Sequence, residues 1–222
     1  MRTKLQDRIL PNYSKNEEIF NMVSHILGGA LGIVGMVLCI IKSALSGNVW
    51  GVVASSIYGF SLITLYCMSS IYHGLRYSTS KKVFQVLDHC AIYLLIAGSY
   101  TPIALSALRP EYPVLCWIVF GLVWGLTILS VTLTAIDIKQ YRIFSMTCYI
   151  VMGWCVLGFM GQVKAVLGNT GLLLLLLGGI AYTVGAILYG VGKKHTIMHS
   201  IFHIFVLLGS VLQFFSIYLY AL

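Results

Sequence analysis

Seven stretches of apolar residues dominate this 222-residue chain and restrict the folds that it can adopt. A helix needs about 20 apolar residues to cross the roughly 30 Å hydrocarbon core of a bilayer. The stretches cover residues 19–41, 49–72, 86–107, 113–135, 143–161, 171–191 and 197–220. The connections between them are short, so no linker separates two domains. We therefore predict an all-α protein that forms a bundle of seven transmembrane helices.

The composition excludes other classes of protein. Hydrophobic residues make up 59% of the chain, charged residues only 9%, and the mean hydropathy is +0.92. A soluble domain carries about 25% charged residues, so this chain has too few to cover a globule in water. The net charge of +8 does not indicate nucleic acid, because the basic residues are scattered through apolar sequence and can face anionic lipid. We expect a multi-pass protein of the cell membrane, in bacteria the plasma membrane, whose partners are lipids; its oligomeric state stays open.

The basic residues predict an orientation. With seven spans, eleven Lys and Arg residues fall on one side of the membrane and three on the other. The first group is Arg2, Lys4, Arg8, Lys15, Arg76, Lys81, Lys82, Lys139, Arg142, Lys193 and Lys194, and the second is Lys42, Arg109 and Lys164. Basic loops stay in the cytoplasm, so we expect a cytoplasmic N-terminus and an outside C-terminus. Residues 1–18 are predicted to be a short cytoplasmic tail, in which Ser14 and Glu17 fit a helix capping box, and residues 19–222 the transmembrane domain.

Asp88 differs from the other acidic residues in its depth. Asp7, Glu17, Glu18, Glu111 and Asp137 lie in the tail, in loops or at the end of a predicted helix. Asp88 follows Lys82 by six residues and therefore lies about one and a half turns inside the third helix. Ionisable groups at membrane depth are costly and mark functional sites, so Asp88 is a candidate site residue.

The histidines indicate a metal site. His199 and His203 are four residues apart and share one face of the last helix, which is the spacing by which a helix presents two imidazoles to one zinc ion. A catalytic zinc centre takes a third ligand and keeps an open position for water. His73 can supply that ligand, because the topology places it, Asp88 and the start of the last helix on the same side of the membrane. We predict zinc bound by His73, His199 and His203, with Ser69 and Asp88 beside it.

The pair His199 and His203 also fits an alternative without a metal, in which the two side chains form interhelical hydrogen bonds or a proton relay. The other histidines are given lesser roles. His25, a turn into the first helix, is predicted to pack against the site or to support a ligand. His195 adjoins surface lysines and is predicted to be solvated, and His89 is predicted to point about 100° away from Asp88 and to take no part.

Several segments resemble the hemolysin III proteins, which are the bacterial branch of the progestin and adipoQ receptor family. The segments are Glu18 to His25, Ser69 to His73, Leu87 to His89, Ala97 to Pro102 and His199 to His203. They occur in the family's order, and the resemblance covers nearly the whole chain. It implies a seven-helix bundle with a cytoplasmic N-terminus and a zinc ion held by the three histidines named above. It also implies that Asp88 contacts a water on the metal and that Ser69 belongs to the same motif.

The resemblance also carries expectations about function. The family is grouped with the alkaline ceramidases as zinc-dependent amide hydrolases that act on lipids. Its bacterial members carry the hemolysin name and are linked to membrane lipid and energy homeostasis. The substrate of this chain does not follow from the resemblance.

Three functions remain open from the sequence. The first is an intramembrane zinc hydrolase of lipid amides or esters, in which Asp88 acts as general base and Ser69 orients the carboxylate or the substrate. The second is a non-catalytic, metal-stabilised membrane regulator or sensor. The third is a cytolysin, which is disfavoured because a pore lines its lumen with polar residues. Asp88 separates the first two, because a structural zinc site needs no adjacent base and usually closes the fourth position.

Reporter fusions test the predicted orientation. A reporter inserted within the loop Arg76 to Lys82 should be cytoplasmic and a reporter after Leu222 should be outside, because the basic residues divide eleven to three between the two faces. A cytoplasmic reporter at Leu222 would show that the number of spans or the orientation is wrong.

Overall fold

A computed structural model describes residues 3–192 and 195–222, and its regular structure there is entirely helical. The main helices are α1 (Lys15–Leu45), α2 (Val49–Gly74), α3 (Thr79–Pro102), α4 (Pro113–Ile136), α5 (Arg142–Trp154), α6 (Met160–Val191) and α7 (Ile197–Ser216). Short 3₁₀ or π-helical turns occupy Leu5–Asp7, Ile103–Leu108, Cys155–Phe159 and Ile217–Ala221. The all-α prediction is confirmed. Arg2, Lys193 and Lys194, which count in the predicted charge asymmetry, lie outside the described residues.

Six helical stretches in the described part of the chain are long and apolar enough to cross a membrane. One of them, Arg142–Val191, runs through α5 and α6 and contains 50 residues. Gly168 interrupts it with φ 68° and ψ −178°, a backbone conformation that glycine adopts without steric cost. The break at Gly168 lies between the predicted apolar stretches 143–161 and 171–191.

The surface and the interior of the bundle have the reverse polarity of a soluble domain. Large apolar side chains such as Phe60, Ile128 and Ile187 are exposed on the outer faces of the helices. The interior contains small polar residues, including Ser55 and Ser130, among its apolar core. Such a distribution suits a bundle whose outer solvent is lipid and whose helices meet through small residues. The chain is therefore a multi-pass membrane protein.

The N-terminal segment, residues 3–14, which belongs to the predicted cytoplasmic tail, is packed against the bundle. The backbone N–H of Thr3 donates to Oδ2 of Asp137 at 2.6 Å, and Lys82 Nζ donates to the carbonyl of Gln6 at 2.5 Å. Leu10 is buried. Long-range contacts of this kind hold the segment across one end of the bundle, and sequence periodicity does not report them.

The start of α1 follows the predicted capping box. The backbone N–H of Glu17 donates to Oγ of Ser14 at 3.3 Å, and the N–H of Ser14 donates to Oε2 of Glu17 at 2.7 Å. The box satisfies two backbone donors that a helix N-terminus leaves unpaired. Since α1 begins at Lys15, the next acidic residue, Glu18, lies on the first helical turn and faces the bundle end where the site forms.

Helices α2 and α3 pack closely at Gly98. A Cβ placed on Gly98 would lie 2.0 Å from Oγ and 2.6 Å from Cβ of Ser61, so no larger residue fits without a shift of the helices. Small residues at helix crossings allow this close packing in membranes. The packing holds the end of α2, which carries His73, beside the first turns of α3, which carry Asp88.

Replacing Gly98 with Ala should destabilise the bundle by about 1–3 kcal/mol, because the added methyl overpacks the crossing with Ser61. Gly121→Ala is the matched control, since a Cβ at Gly121 meets no atom within 4 Å. The control should leave stability unchanged or raise it by up to about 1 kcal/mol through helix propensity. Thermal unfolding in detergent measures both variants, and an equal loss in the two would show that the crossing is not close.

Candidate metal centre

Three buried histidines meet where α2 ends and α7 begins. His73 lies on the last turn of α2, and His199 and His203 lie on the first two turns of α7. The Nε2 atom of His199 is 3.3 Å from Nε2 of His73 and 3.1 Å from Nε2 of His203. One ligand nitrogen from each ring lies within 4.8 Å of the other two. The structure thus brings together the three residues that the sequence selects as metal ligands.

The spacing of the three nitrogens fits a metal ion. Zinc bonds imidazole nitrogen at about 2.0–2.1 Å in a tetrahedron, which places the nitrogens of two ligands about 3.3–3.4 Å apart. The observed separations of 3.3 Å and 3.1 Å agree with that value. Three imidazoles also form the ligand set of known catalytic zinc sites, which keep a fourth position open.

Hydrogen bonding leaves the His73 nitrogen available to a cation. Nδ1 of His73 lies 2.6 Å from Oε2 of Glu18, a carboxylate acceptor, so in the neutral ring the proton sits on Nδ1 and the lone pair on Nε2. One shared proton cannot satisfy three mutually close nitrogens. A cation can satisfy all three, and the donor set therefore fits a bound metal.

Glu18 supports the site from α1. Its second oxygen, Oε1, accepts a hydrogen bond from Lys81 Nζ at 2.7 Å, and Lys81 also donates to the carbonyl of Leu75 at 2.9 Å. A carboxylate that accepts from the far nitrogen of a metal-binding histidine fixes the orientation of its ring. The sequence pattern places Glu18 with the acids of the tail, the loops or a helix end, and it does not predict the hydrogen bond to His73. The sequence does contain a signal for this role. Glu18 lies seven residues before His25 on the same face of α1, and His25 is the residue of α1 that is predicted to pack against the site.

His25 lies against the cluster without joining it. Its ring centroid is 3.9 Å from that of His203 and 5.0 Å from that of Tyr66. Both of its nitrogens are buried and have no hydrogen-bond partner among the described residues, and the same holds for the side-chain amide of Asn21. This position agrees with the predicted packing or supporting role. His195 is exposed before α7 begins, outside the cluster, as predicted.

A cavity opens beside the histidines and runs into the bundle. Ser69, Asp88 and His199 line the cavity at the end where the histidines lie. Most of the remaining wall is apolar and includes Ile92, Leu95, Ile103, Leu175 and Val206, and the polar residues Ser99, Arg142, Thr183 and Gln213 also line it. Ser69 lies beside the Asp88 carboxylate, in position to donate a hydrogen bond to it. Asp88 is not part of the three-nitrogen group. Ser69 and Asp88, the predicted neighbours of the metal site, therefore line the same cavity as His199.

His89 also lines this cavity, and it is not one of the three histidines of the metal-binding group. His89 lines the wall next to Asp88, with Nδ1 2.7 Å from the carbonyl of Gln85 and Nε2 3.1 Å from the hydroxyl of Tyr189. The cavity surrounds more of α3 than the face that carries Asp88, so an angle of about 100° between neighbouring residues does not exclude one of them. Tyr189 in turn lies 5.6 Å from the ring of His199.

Tyr13 covers the cluster from the N-terminal segment. Its ring stacks on His199 with a centroid distance of 4.8 Å and an angle of 18°, and it lies 5.7 Å from the ring of His73. Burial raises the pKa of the Tyr13 phenol well above its usual range, with a further contribution from Tyr189, so the hydroxyl stays neutral. Nothing in the spacing of the sequence predicts this contact, because it depends on how an irregular segment folds back.

Comparisons with known proteins agree with the resemblance of the motifs. A family model described as Haemolysin-III related matches residues 13–214. The chain is 38% identical over 206 residues to Hemolysin-3 of Bacillus cereus, covering 93% of this chain and 92% of that protein. It is 36% identical over 208 residues to Hemolysin-3 homolog of Bacillus subtilis (strain 168), covering 94% and 96%. It is 26% identical over 183 residues to Monocyte to macrophage differentiation factor of Homo sapiens, covering 79% and 74%.

Zinc content tests the three ligands. Replacing His73, His199 or His203 with Ala should each lower the zinc content of the purified protein sharply, because two imidazoles leave the site incomplete. His195→Ala is the control and should retain zinc, since its side chain is exposed outside the cluster. Full zinc retention in His73→Ala would remove α2 from the site, and equal loss in all four variants would contradict the selection of three.

The same measurement tests the supporting carboxylate. Glu18→Gln should weaken zinc binding by about 10–100-fold, because an amide oxygen accepts the His73 hydrogen bond less strongly than a carboxylate does. Glu111→Gln, which changes an exposed acid in the turn before α4, is the control. Competition with a chelator measures both affinities, and equal affinities would show that Glu18 does not support the ligand.

Proposed function

The chain belongs to the family of haemolysin-III-related proteins, and we propose that it is a seven-span membrane protein that uses zinc to hydrolyse an amide or ester bond of a lipid. The observation that carries the proposal is a three-imidazole cluster in which one member, His199, lines a mainly apolar cavity together with the carboxylate of Asp88. The three imidazoles can bind a metal, the carboxylate of Asp88 can accept a proton, and the apolar wall of the cavity can hold the hydrocarbon part of a lipid.

The proposed seven spans follow from the length of Arg142–Val191. Its 50 residues would extend about 75 Å as one helix, more than twice the bilayer core. The break at Gly168 divides it into two pieces, each long enough for one crossing. Two crossings here, added to the other five stretches, give seven, and they put the ends of α2 and α7 that carry the histidines on the cytoplasmic side if the N-terminus is cytoplasmic.

Zinc is the proposed metal because three neutral imidazoles at this spacing are its ligand set. A bound zinc ion would supply Lewis acidity, which polarises a carbonyl and lowers the pKa of water. His73, His199 and His203 would hold it, and Glu18 would keep the His73 ring aligned. Burial of the cluster would exclude competing ligands from bulk solvent.

Asp88 is the proposed general base. It lines the cavity at the end where the histidines lie, without joining the ligand nitrogens, so its carboxylate is free to accept a proton from a water molecule there. The water oxygen bonds to the carbonyl carbon, and the C–N or C–O bond of the substrate breaks. The proton taken by Asp88 then passes to the leaving amine nitrogen or alkoxide oxygen. Ser69 would orient the carboxylate, and the hydroxyl of Tyr189 and the ring of His89 offer further polar contacts.

The cavity favours an amphiphilic substrate. Asp88, Ser69 and His199 lie at one end of it, and the wall beyond them is mainly apolar, with side chains such as Leu95 and Val206. A lipid can place its amide or ester at that end and its hydrocarbon chain along this wall. Lipid amides and lipid esters both carry a carbonyl next to hydrocarbon, and both are candidates.

A non-catalytic regulator is the second candidate, and the arrangement of the ligands favours it. A metal held by His73, His199 and His203 would join α2 to α7, and Glu18 and Lys81 would extend that link to α1 and α3. Four helices would thus respond to occupancy of one site. This function requires the histidines but not Asp88.

Asp88→Asn separates the two candidates. The amide keeps the size of the side chain but cannot take a proton, so lipid hydrolysis should fall by about 10²–10⁴-fold while zinc content and folding stay close to those of the parent. Release of free fatty acid from long-chain lipid amides and esters measures turnover, and metal analysis measures zinc. The exposed acid variant Glu111→Gln should retain both. A deletion strain rescued fully by Asp88→Asn but not by His203→Ala would contradict the hydrolase and favour the regulator.

A further inference from the structure

A second polar site lies outside the cavity, between the N-terminal segment and the lipid-facing side of α3. The residues that line this groove are Thr3, Lys4, Leu5, Arg8, Val83, Val86, Leu87 and Ala135. The segment that forms one wall is held at Thr3 by Asp137 and at Gln6 by Lys82. The groove is therefore built by fixed backbone and does not depend on the candidate metal centre.

Arg8 is buried in this groove, and no counter-charge pairs with it among the described residues. Its side chain is 9% exposed, and its Nε and Nη1 atoms have no hydrogen-bond partner among the described residues. An unpaired buried charge is strongly destabilising, and an arginine fork is suited to the paired oxygens of a phosphate or carboxylate. The guanidinium of Arg8 therefore has no anionic partner in the described part of the chain, and a bound anion would supply one.

The acids near the groove are engaged or exposed. Asp137 accepts hydrogen bonds from the backbone N–H groups of Thr3, Lys139 and Gln140. Burial opposes its ionisation, but these N–H groups hold the pKa of the carboxyl below its usual range, so its charge is already directed at backbone. Asp7 is exposed. Neither forms an ion pair with Arg8 in the described structure.

The other wall of the groove is apolar and continuous with the surface that faces lipid. Val83 and Leu87 are each 40% exposed on α3 and also line the groove. Ile9, next to Arg8, is 90% exposed, which suits a segment lying in the interface of the bilayer. A free phosphate ion would satisfy Arg8 and leave this wall unused. A molecule with both an anion and hydrocarbon would use both.

We propose that this groove binds an anionic phospholipid, with the phosphate on Arg8 and Lys4 and an acyl chain against Val83 and Leu87. Anionic lipids are attracted to Lys and Arg at the membrane surface, and the buried fork of Arg8 adds a directed contact to that general attraction. The bound lipid fastens the N-terminal segment to α3. Because the same segment carries Tyr13, the lipid also stabilises the cover over His199.

Lipid competition in native mass spectrometry tests the site. The full-length protein, in nanodiscs of phosphatidylcholine with or without phosphatidylglycerol, should retain phosphatidylglycerol in preference. Arg8→Gln should lower that preference about 10- to 100-fold, the range expected for a charge-assisted hydrogen bond. Arg76→Gln removes the same charge from an exposed position outside the groove and should lower it by less than about fivefold. Equal losses in the two variants would overturn the proposal.

Two further experiments control for misfolding of the variants and identify the kind of anion that binds. Photoreactive phosphatidylglycerol added to the unmodified protein should label peptides that contain residues 3–8 and 83–87, and labelling spread evenly around the bundle would overturn the site. Inorganic phosphate should leave the retained phosphatidylglycerol unchanged. Displacement of the lipid by inorganic phosphate would show that the groove takes a soluble ion and would refute the lipid assignment.

Discussion

The carboxylate of Glu18 joins three helices at one end of the bundle, and the geometry of the candidate metal centre depends on it. It accepts from His73 on α2 at 2.6 Å and from Lys81 on α3 at 2.7 Å, while its own backbone belongs to α1. Charge-assisted hydrogen bonds are strong in surroundings of low dielectric. They fix the side of the His73 ring that faces α7, so that Nε2 meets the nitrogens of His199 and His203. Free rotation of that ring would lose the cluster.

Lipid as the outer solvent explains why the polar chemistry is confined to one end. The helices expose apolar side chains outward, so charged and hydrogen-bonding groups are stable only inside the bundle or near its ends. The candidate site lies where both conditions meet, with Asp88 and His199 lining a cavity whose wall is mainly apolar. This combination of polar and apolar lining suits a lipid molecule, which has a polar and an apolar part. The same logic places Arg8 at the interface beside apolar residues of α3.

Much of this arrangement follows from local sequence patterns. The apolar runs predict the helices, and the spacing of His199 and His203 predicts that they share a face, because both signals depend on the period of a helix. The choice of His73 as the third candidate ligand follows from topology. The number of crossings is less direct, since α5 and α6 form a single stretch of 50 residues in which only Gly168 marks a break.

Other features require the folded chain. The contact of Tyr13 with His199 and the anchoring of Thr3 by Asp137 join residues distant in sequence through an irregular segment, which has no period to detect. His89 was excluded by its angle on α3, although the cavity is wide enough to include it. Glu18 was grouped with the acids in the tail, in loops or at a helix end, because its partners lie on two other helices. Long-range packing, which a single sequence does not encode locally, decides each of these cases.

X-ray absorption spectroscopy on the purified protein after zinc loading tests the central claim most directly, because it reports the ligands of the metal without the need for a substrate. The account predicts one zinc per chain, with three nitrogen neighbours at about 2.0–2.1 Å and one oxygen in the remaining position. Sulfur neighbours from the cysteines, or a zinc content well below one per chain, would contradict the three-histidine centre on which the proposed function rests.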